Sequence, residues 1–510
     1  MLARVSLTTV AGPALTASGP TPGRKTSPAG GWRGWIGPLV MGLVAALLRL
    51  PGLGTPKALV FDETYYAKDA LALLLFGHER NAKDDANDLL LAMDGKDLHA
   101  AGTIFKDSPS YVVHPPFGKW VIASGEWVFG ANPFGWRIAV AVLGILSVVI
   151  LARIVRRLTA SNLLGAIAGL LLAIDGMAIA MSRTALLDGV LAFLVLVAFG
   201  ALVLDRERTR RLWPRRSLRP WRVVAAVALG LACGVKWSGL WFVLAFGLLT
   251  VFWDLGLRRQ LGQRAALLKT FMRDAVPAAL VMLPIVFLTY LATWYGWFTS
   301  SGYLRDWALD NGGYTGAEGA LRSLAHYHAE AYRFHTGLTT EHSYQANAWG
   351  WPVLARPTSF YYESEGLTCD ATTCSQEVIA LGNPVIWWAA VLALFHQIWR
   401  WAAVRDWRAG AVLCGFVAGW APWLLFQERT VFSFYSIVFL PFMIMALSLS
   451  LGAMLGSPTD TRERRGNGAI AVTTLLIAAV VASWWFYPIW TGQIIPYDQW
   501  QMRMWLPTWV

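Results

Sequence analysis

Residues 39–50, LVMGLVAALLRL, form a membrane-type apolar run, and residues 60–70, VFDETYYAKDA, follow it with two adjacent carboxylates, Asp62 and Glu63. A helix needs about 20 apolar residues to cross the hydrocarbon, so the first question is whether windows of that length recur. Eleven do, at roughly 34–50, 136–154, 162–181, 186–204, 221–235, 238–254, 275–294, 384–400, 409–426, 433–455 and 468–487. The fifth is short and ends at Lys236, so it is tilted or joins the sixth as a hairpin. The 510 residues are 56% hydrophobic and 15% charged, with a mean hydropathy of +0.46. These values lie outside the soluble range and predict an all-α polytopic membrane protein.

A net charge of +12 raises the question of nucleic acid, but the basic residues gather in short connections between apolar windows. Arg153, Arg156 and Arg157, then DRERTRRLWPRRSLRPWR at 205–222, then Arg258, Arg259, Arg264, Lys269 and Arg273 fall on one side. Arg400, Arg405, Arg408, Arg462, Arg464 and Arg465 agree when eleven helices are counted, and the positive-inside rule makes that side the cytoplasm. Residues 1–31, rich in Pro, Gly, Ser and Thr and without the form of a signal peptide, then read as a disordered cytoplasmic tail. The membrane domain spans 32–490, and the tail 491–510 and the long loops 51–135 and 295–383 face outward by parity.

Within loop 51–135, AKDALALLLFGH and FGKWVIASGEWVFG are amphipathic and predict interfacial helices. Loop 295–383 is rich in Trp, Tyr and His, side chains that favour the interface and stack on sugars or peptides. There is no Gly-rich phosphate loop, so a soluble nucleotide as direct substrate has no support.

Adjacent side chains diverge, so of Asp62 and Glu63 one would act while the other orients. Asp62 reads either as the N-cap of ETYYAKDALALL or as a general base whose pKa burial raises and a cation lowers. In YVVHPPFGKW, residues 111–120, two prolines fix His114 in an extended or turn geometry. The segment is a rigid lid or a wall of the site, with His114 or Lys119 near an anion. Outward helix ends add Arg137, Arg183, Asp188, Lys236 and Arg429. Each alone fits a snorkelling interfacial residue; together they suit a lipid-linked phosphate. Cys369 and Cys374 share one polar loop and would close a small disulfide outside the membrane, while Cys233 and Cys414 lie in apolar windows. The spacing of His326 and His328 resembles half a zinc site, but no further ligands follow at a familiar spacing, so neither metal nor cofactor is expected.

FDETYYAKDA, HPPFGKW, SRTALLDG, GVKWSGLW and HYHAEAYRFHTGLTTEHSYQANAWGWPVLARP resemble the protein O-mannosyltransferases, most closely those of actinomycete type, over about residues 50–440. The resemblance implies a GT-C glycosyltransferase fold with about eleven transmembrane helices, two long extracytoplasmic loops and a cell-membrane location. It implies transfer of mannose, with inversion, from polyprenyl phosphate mannose to Ser or Thr of secreted or membrane proteins, with the secretion machinery as a further partner. The family's acidic pair falls on Asp62 and Glu63, with Asp62 as the base. The donor phosphate would then meet Arg137, His114, Lys236, Arg429 and Arg183, and sugar or acceptor would meet His335, His342 and Trp349. Loop 295–383 lacks the large inserted carbohydrate-binding domain of eukaryotic members, which leaves acceptor recognition to the loop itself. Two other readings remain open: a lipid-phosphate-sugar transferase acting on a glycan or lipid, and a transporter. Asp175, inside an apolar window, would suit an ion route, although the repeated halves of many transporters are absent.

Overall fold

The computed structural model describes residues 31–93, 95–213 and 219–510. The tail read over 1–31, residue 31 apart, and residues 214–218 of the arginine-rich connection lie outside the described residues. Every apolar window falls on a helix. α1 (Arg33–Arg49) leads into the first long loop, which holds α2 (Glu63–Phe76) and α3 (Phe117–Phe129). Next come α4 (Pro133–Thr159), α5 (Asn162–Ala173), α6 (Gly176–Ser182), α7 (Leu187–Leu212), α8 (Pro220–Val235), α9 (Gly239–Gln260) and α10 (Ala266–Thr293). After the second long loop, which holds α11 (Gly316–Gly337), the chain finishes its bundle with α12 (Pro384–Ala402), α13 (Trp407–Trp420), α14 (Leu440–Leu455) and α15 (Arg462–Thr491).

Among the described residues six helices, α4, α7, α9, α10, α13 with its extension to Leu425, and α15, are long and apolar enough to span a membrane. The pair α5–α6, bent by 62°, makes a seventh if taken as one span. α1, α8 and α14 have 17, 16 and 16 residues, and α12 ends in the less apolar HQIWRWA. Length and composition therefore do not by themselves establish the expected eleven crossings.

The bend explains Asp175. One carboxylate oxygen accepts the Ala178 N–H at 3.0 Å and so caps α6. The other accepts the Asn383 N–H at 3.0 Å and the Trp387 indole N–H at 2.8 Å, at the start of α12. Every oxygen of this buried acid is occupied by a protein donor that ties two helices together, which removes the observation that suggested an ion route.

α7 is the axis of the bundle: 72% of its apolar window is buried, against 17% for α10 and 22% for α15, which face outward. It packs on α4, α8 and α9, while α14 joins the α12–α13 pair to α5 and α15. At one end of the bundle both long loops meet: the Tyr327 hydroxyl of α11 donates to Val112 O and accepts from Val112 N–H at 3.1 Å. The chain is mostly helical, and this end adds short strands to the all-α expectation. Arg80–Ala82 pairs with Phe105–Pro109, and Thr358–Glu363, Cys374–Ala380 and Ile494–Pro496 form an antiparallel sheet of three. The segment after 490 is thus built into the second loop rather than trailing from it.

Candidate active site

The acidic turn is held open by its second member. Asp62 occupies the N-cap position of α2 with helical backbone angles, φ −69° and ψ −5°, and its side chain makes no capping bond. Glu63 instead ties the turn to its surroundings: Oε2 accepts the Val60 N–H at 2.9 Å, and Oε1 accepts the Ala185 N–H at 2.8 Å. Phe61 adopts a left-handed φ of 50°, a costly conformation that persists only where the surroundings impose it. Its ring lies among Phe360, Phe432, Phe434 and His342, with centroids 5.1 to 6.2 Å away. The N-cap reading of Asp62 is therefore corrected, and its carboxyl faces other side chains instead.

Those neighbours are Lys236, Asp188 and Tyr66. Burial pushes the Asp62 carboxyl up to about 6, against the Lys236 ammonium, which favours the ion; the Asp188 charge adds to the rise and the Tyr66 hydroxyl opposes it. Lys236 Nζ donates to Asp188 Oδ2 at 2.6 Å and sits 4.9 Å from the centre of the Tyr435 ring. Asp188 opens α7 and Lys236 closes α8, so a short connection between antiparallel neighbours brings the pair face to face.

Beside this pair lies a cavity of about 470 Å³ lined by His114, Asp188, Lys236, Trp237, His335 and Arg429. Leu240, Trp241 and Leu244 of α9 give it an apolar flank that runs into the membrane span. His335 Nε2 meets Val113 O at 3.0 Å, which fixes that nitrogen as the donor, and Arg429 Nη2 donates to Nδ1 at 3.3 Å. Burial, joined by Arg429 and Lys236 and resisted by the Val113 bond, takes the His335 ring down to about 4. His114, 5.2 Å from His335 between ring centres, is pushed well below the usual histidine range by burial and by Lys236. Both imidazoles are thus neutral hydrogen-bonding groups, and the positive charge of the cavity resides on Lys236 and Arg429. The Nε–H of Arg429 is buried and has no partner among the described residues, a donor available to an anion.

The structure brings His114, Lys236, His335 and Arg429 together and separates the other expected ligands from them. Arg137 spends its guanidinium on Glu63, at 2.8 and 2.7 Å, and on the carbonyls of Leu53, Pro56 and Ala58, at 3.2, 3.0 and 2.9 Å. Arg183 likewise donates to the carbonyls of Arg49, Pro51 and Gly52. Neither arginine lines this cavity: both clamp the chain between α1 and α2. His342 packs against Phe432 at 5.0 Å, and Trp349, 63% exposed, stands on Trp420, so neither lines the cavity. Cys369 and Cys374 form a disulfide in the turn between strands Thr358–Glu363 and Cys374–Ala380. His326 stacks on Trp307, whereas His328 stacks on Trp237 and meets the Tyr290 hydroxyl, so the two diverge. Among the described residues no three His, Cys, Asp or Glu side chains gather as metal ligands.

In the sequence Asp188 is one helix-end charge among several, and no motif singles out Tyr66, Trp237 or Tyr435. Opposite charges at the outer ends of two consecutive windows, which a hairpin sets side by side, are the available signal for Asp188. Nothing local marks Tyr435, which arrives from nearly two hundred residues beyond Lys236.

Residues 39–295 match the model of the dolichyl-phosphate-mannose-protein mannosyltransferases, and residues 320–509 match that of the C-terminal four-helix region of protein O-mannosyltransferases. A polyprenol-phosphate-mannose–protein mannosyltransferase of Mycobacterium tuberculosis is 38% identical over 94% of this chain and 92% of its own length. One from Corynebacterium glutamicum is 35% identical over 79% and 83%. The fold is shared with the Saccharomyces cerevisiae protein O-mannosyltransferase Pmt1-Pmt2 complex bound to the sugar donor, with a TM-score of 0.74 at 15% identity over 94% of this chain and 93% of that one. It is also shared, at a TM-score of 0.53 and 15% identity over 90% and 76%, with ArnT from Cupriavidus metallidurans bound to undecaprenyl phosphate. With both halves matched and more than nine-tenths of a curated relative covered, this multi-pass membrane chain belongs to the protein O-mannosyltransferase family of glycosyltransferases.

Proposed function

We propose that this protein transfers mannose from polyprenyl phosphate mannose to Ser or Thr hydroxyls of a protein acceptor, with Asp62 as the base. The function is that of the relatives named above. The observation that carries the residue assignment is the position of Asp62: a carboxyl with no capping duty beside a cavity with a cationic wall and an apolar flank. In this reading the polyprenyl chain follows Leu240, Trp241 and Leu244, and the donor phosphate faces Lys236 and Arg429.

The acceptor hydroxyl gives its proton to the Asp62 carboxylate as its oxygen attacks the anomeric carbon, and the bond from that carbon to the phosphate oxygen breaks. The attack comes from the face opposite the phosphate, so the configuration inverts. The departing polyprenyl phosphate gains negative charge, and preorganised donors aimed at it lower the barrier. Arg429 through its free Nε–H, Lys236, and the neutral His114 ring are placed for that role, while His335 aims Arg429. Glu63 and Arg137 keep the turn in shape and stay out of the chemistry. His342 and Trp349 fall to acceptor contacts beyond the cavity.

We place the loop-bearing end outside the cytoplasm, on the strength of the arginine-rich connections at the other end, in the cell membrane. Hydroxyls reaching a site there belong to exported chains, which makes the secretion machinery the partner we assign. The test is purified protein with polyprenyl phosphate mannose and a Ser/Thr peptide, read by mass and by the anomeric configuration of the product. Transfer at the parental rate by Asp62→Asn would sink the base assignment, and a retained configuration would sink the single displacement.

A further inference from the structure

A second cavity, of about 890 Å³, lies at the opposite end of the same helices. α7, α8 and α9 carry Asp188, Lys236 and Leu240 at one end and contribute Thr209, Arg222 and Arg258 to this cavity at the other. α10 closes it with Lys269 and Arg273 below and Met282 above.

Its charges do not balance. Asp205 and Asp254 pair with Arg219 and Arg222, and Asp274 pairs with Arg258 at 2.8 Å. That leaves Lys269 and Arg273 with no ion pair among the described residues, an excess of two cations on the cavity wall. Arg222 is 5% exposed and paired with Asp254, and among the described residues its Nε makes no hydrogen bond, although an Asp205 oxygen lies 3.4 Å away. Two cations with no ion pair among the described residues, on the wall of one cavity with Arg222, leave positive charge there that an anion would balance.

The remaining wall chooses between a soluble anion and a lipid. From Arg273 to Met282 the lining passes Pro277, Ala278 and Val281, an apolar slot about 14 Å long at 1.5 Å per residue. Only 17% of the apolar window of α10 is buried, so this slot borders the hydrocarbon. A free anion has no use for such a slot, whereas an acyl chain fills it, and basic pockets between membrane helices hold acidic head groups by this combination.

We propose that this cavity binds an anionic phospholipid, its phosphate between Arg222, Lys269 and Arg273 and an acyl chain along Val281 and Met282. The leaflet is the cytoplasmic one, which rests on the orientation proposed above. Occupied, the site holds the far ends of the three helices whose near ends carry the catalytic cavity.

The test is native mass spectrometry of the purified full chain in detergent with phosphatidylglycerol, with phosphatidylcholine, or with inorganic phosphate. Phosphatidylglycerol is expected to remain bound at least five-fold more than phosphatidylcholine. The double variant Lys269→Gln, Arg273→Gln, in which no ion pair is broken, is expected to reduce that retention at least five-fold with an unchanged melting temperature. Equal retention of the two lipids, or an unaffected double variant, overturns the site. Displacement of the lipid by millimolar inorganic phosphate overturns the choice of a lipid. The leaflet is read separately: Arg273→Cys labelled in intact cells by a membrane-impermeant maleimide overturns the orientation while the lipid-binding result stands on its own.

Discussion

Arg137 donates from Nε and Nη2 to the two carboxylate oxygens of Glu63, at 2.8 and 2.7 Å, with both residues buried and 74 positions apart in the chain. The pair joins the first turn of α4 to the start of α2, and the remaining Arg137 donors gather the carbonyls of residues 53, 56 and 58. A chain that turns without regular structure leaves carbonyls without partners, and a guanidinium supplies five donors in one plane. The geometry that makes arginine a phosphate ligand thus makes it the organiser of the approach to Asp62.

Removing Arg137 would leave the Glu63 carboxylate buried without its charge partner, a loss of about 3–5 kcal/mol. Arg137→Ala is accordingly expected to lower the melting temperature in detergent sharply and to lose transfer through loss of the folded turn. Asp62→Asn, which breaks no capping bond and removes a buried charge, is expected to melt no lower than the parent. An Arg137→Ala protein that keeps its melting temperature and loses only transfer would return this arginine to the phosphate site.

The base assignment has a pH signature. A carboxyl raised to about 6 is protonated, and idle as a base, below that value. kcat/KM is therefore expected to climb as pH rises through about 6 and to level above about 7. Asp62→Asn removes the group and is expected to cost roughly 10²–10⁴-fold in rate, the usual scale of general base catalysis. A rising limb that survives in Asp62→Asn would locate the titrating base elsewhere.

Arg429 and His335 divide a second task. The donor of Arg429 to His335 Nδ1 and the bond of Nε2 to Val113 O leave the imidazole neutral and aimed, while Arg429 Nε stays free. Arg429→Ala is expected to reduce kcat by about 10²–10³-fold, as loss of a transition-state donor does. His335→Ala is expected to cost less and to leave the pH limb near 6 in place, because a ring lowered to about 4 does not titrate there. A limb displaced in His335→Ala would make the histidine the titrating group.

The windows of apolar sequence located every helix of the bundle, because burial in lipid demands long apolar runs whatever their partners are. The break at Asp175 was hidden, since capping and ion conduction both place a carboxylate in an apolar run. Only Asn383 and Trp387, two hundred residues later, reveal its bonds. Of the outward charges, Lys236 and Arg429 reach the cavity whereas Arg137 and Arg183 do not, and composition cannot separate a phosphate ligand from a carbonyl clamp. The third strand of the sheet, Ile494–Pro496, has too few residues for a periodicity, and its partner Cys374–Ala380 lies more than a hundred residues earlier.

The same sheet carries a stability switch. Glu377 accepts the Ser359 hydroxyl at 2.7 Å and the Trp500 indole N–H at 2.6 Å, and burial raises its carboxyl from 4.5 to about 7 against both bonds. With the folded value above the unfolded one, the folded state binds more protons between the two. Stability contributed by the protonated form is whole below pH 4.5 and is lost as pH rises towards 7. At 1.36 kcal/mol per unit the loss is about 3 kcal/mol. Glu377→Gln keeps both contacts, its carbonyl taking the Trp500 N–H and its amide donating to Ser359, and carries no charge. The variant is expected to melt higher than the parent at pH 8 and to match it near pH 5. Asp62 and Asp69, raised to about 6 and about 7 by burial, slope the same way in both proteins and cancel in the difference. A difference between the two melting curves that does not change with pH would show that Glu377 is ionised throughout.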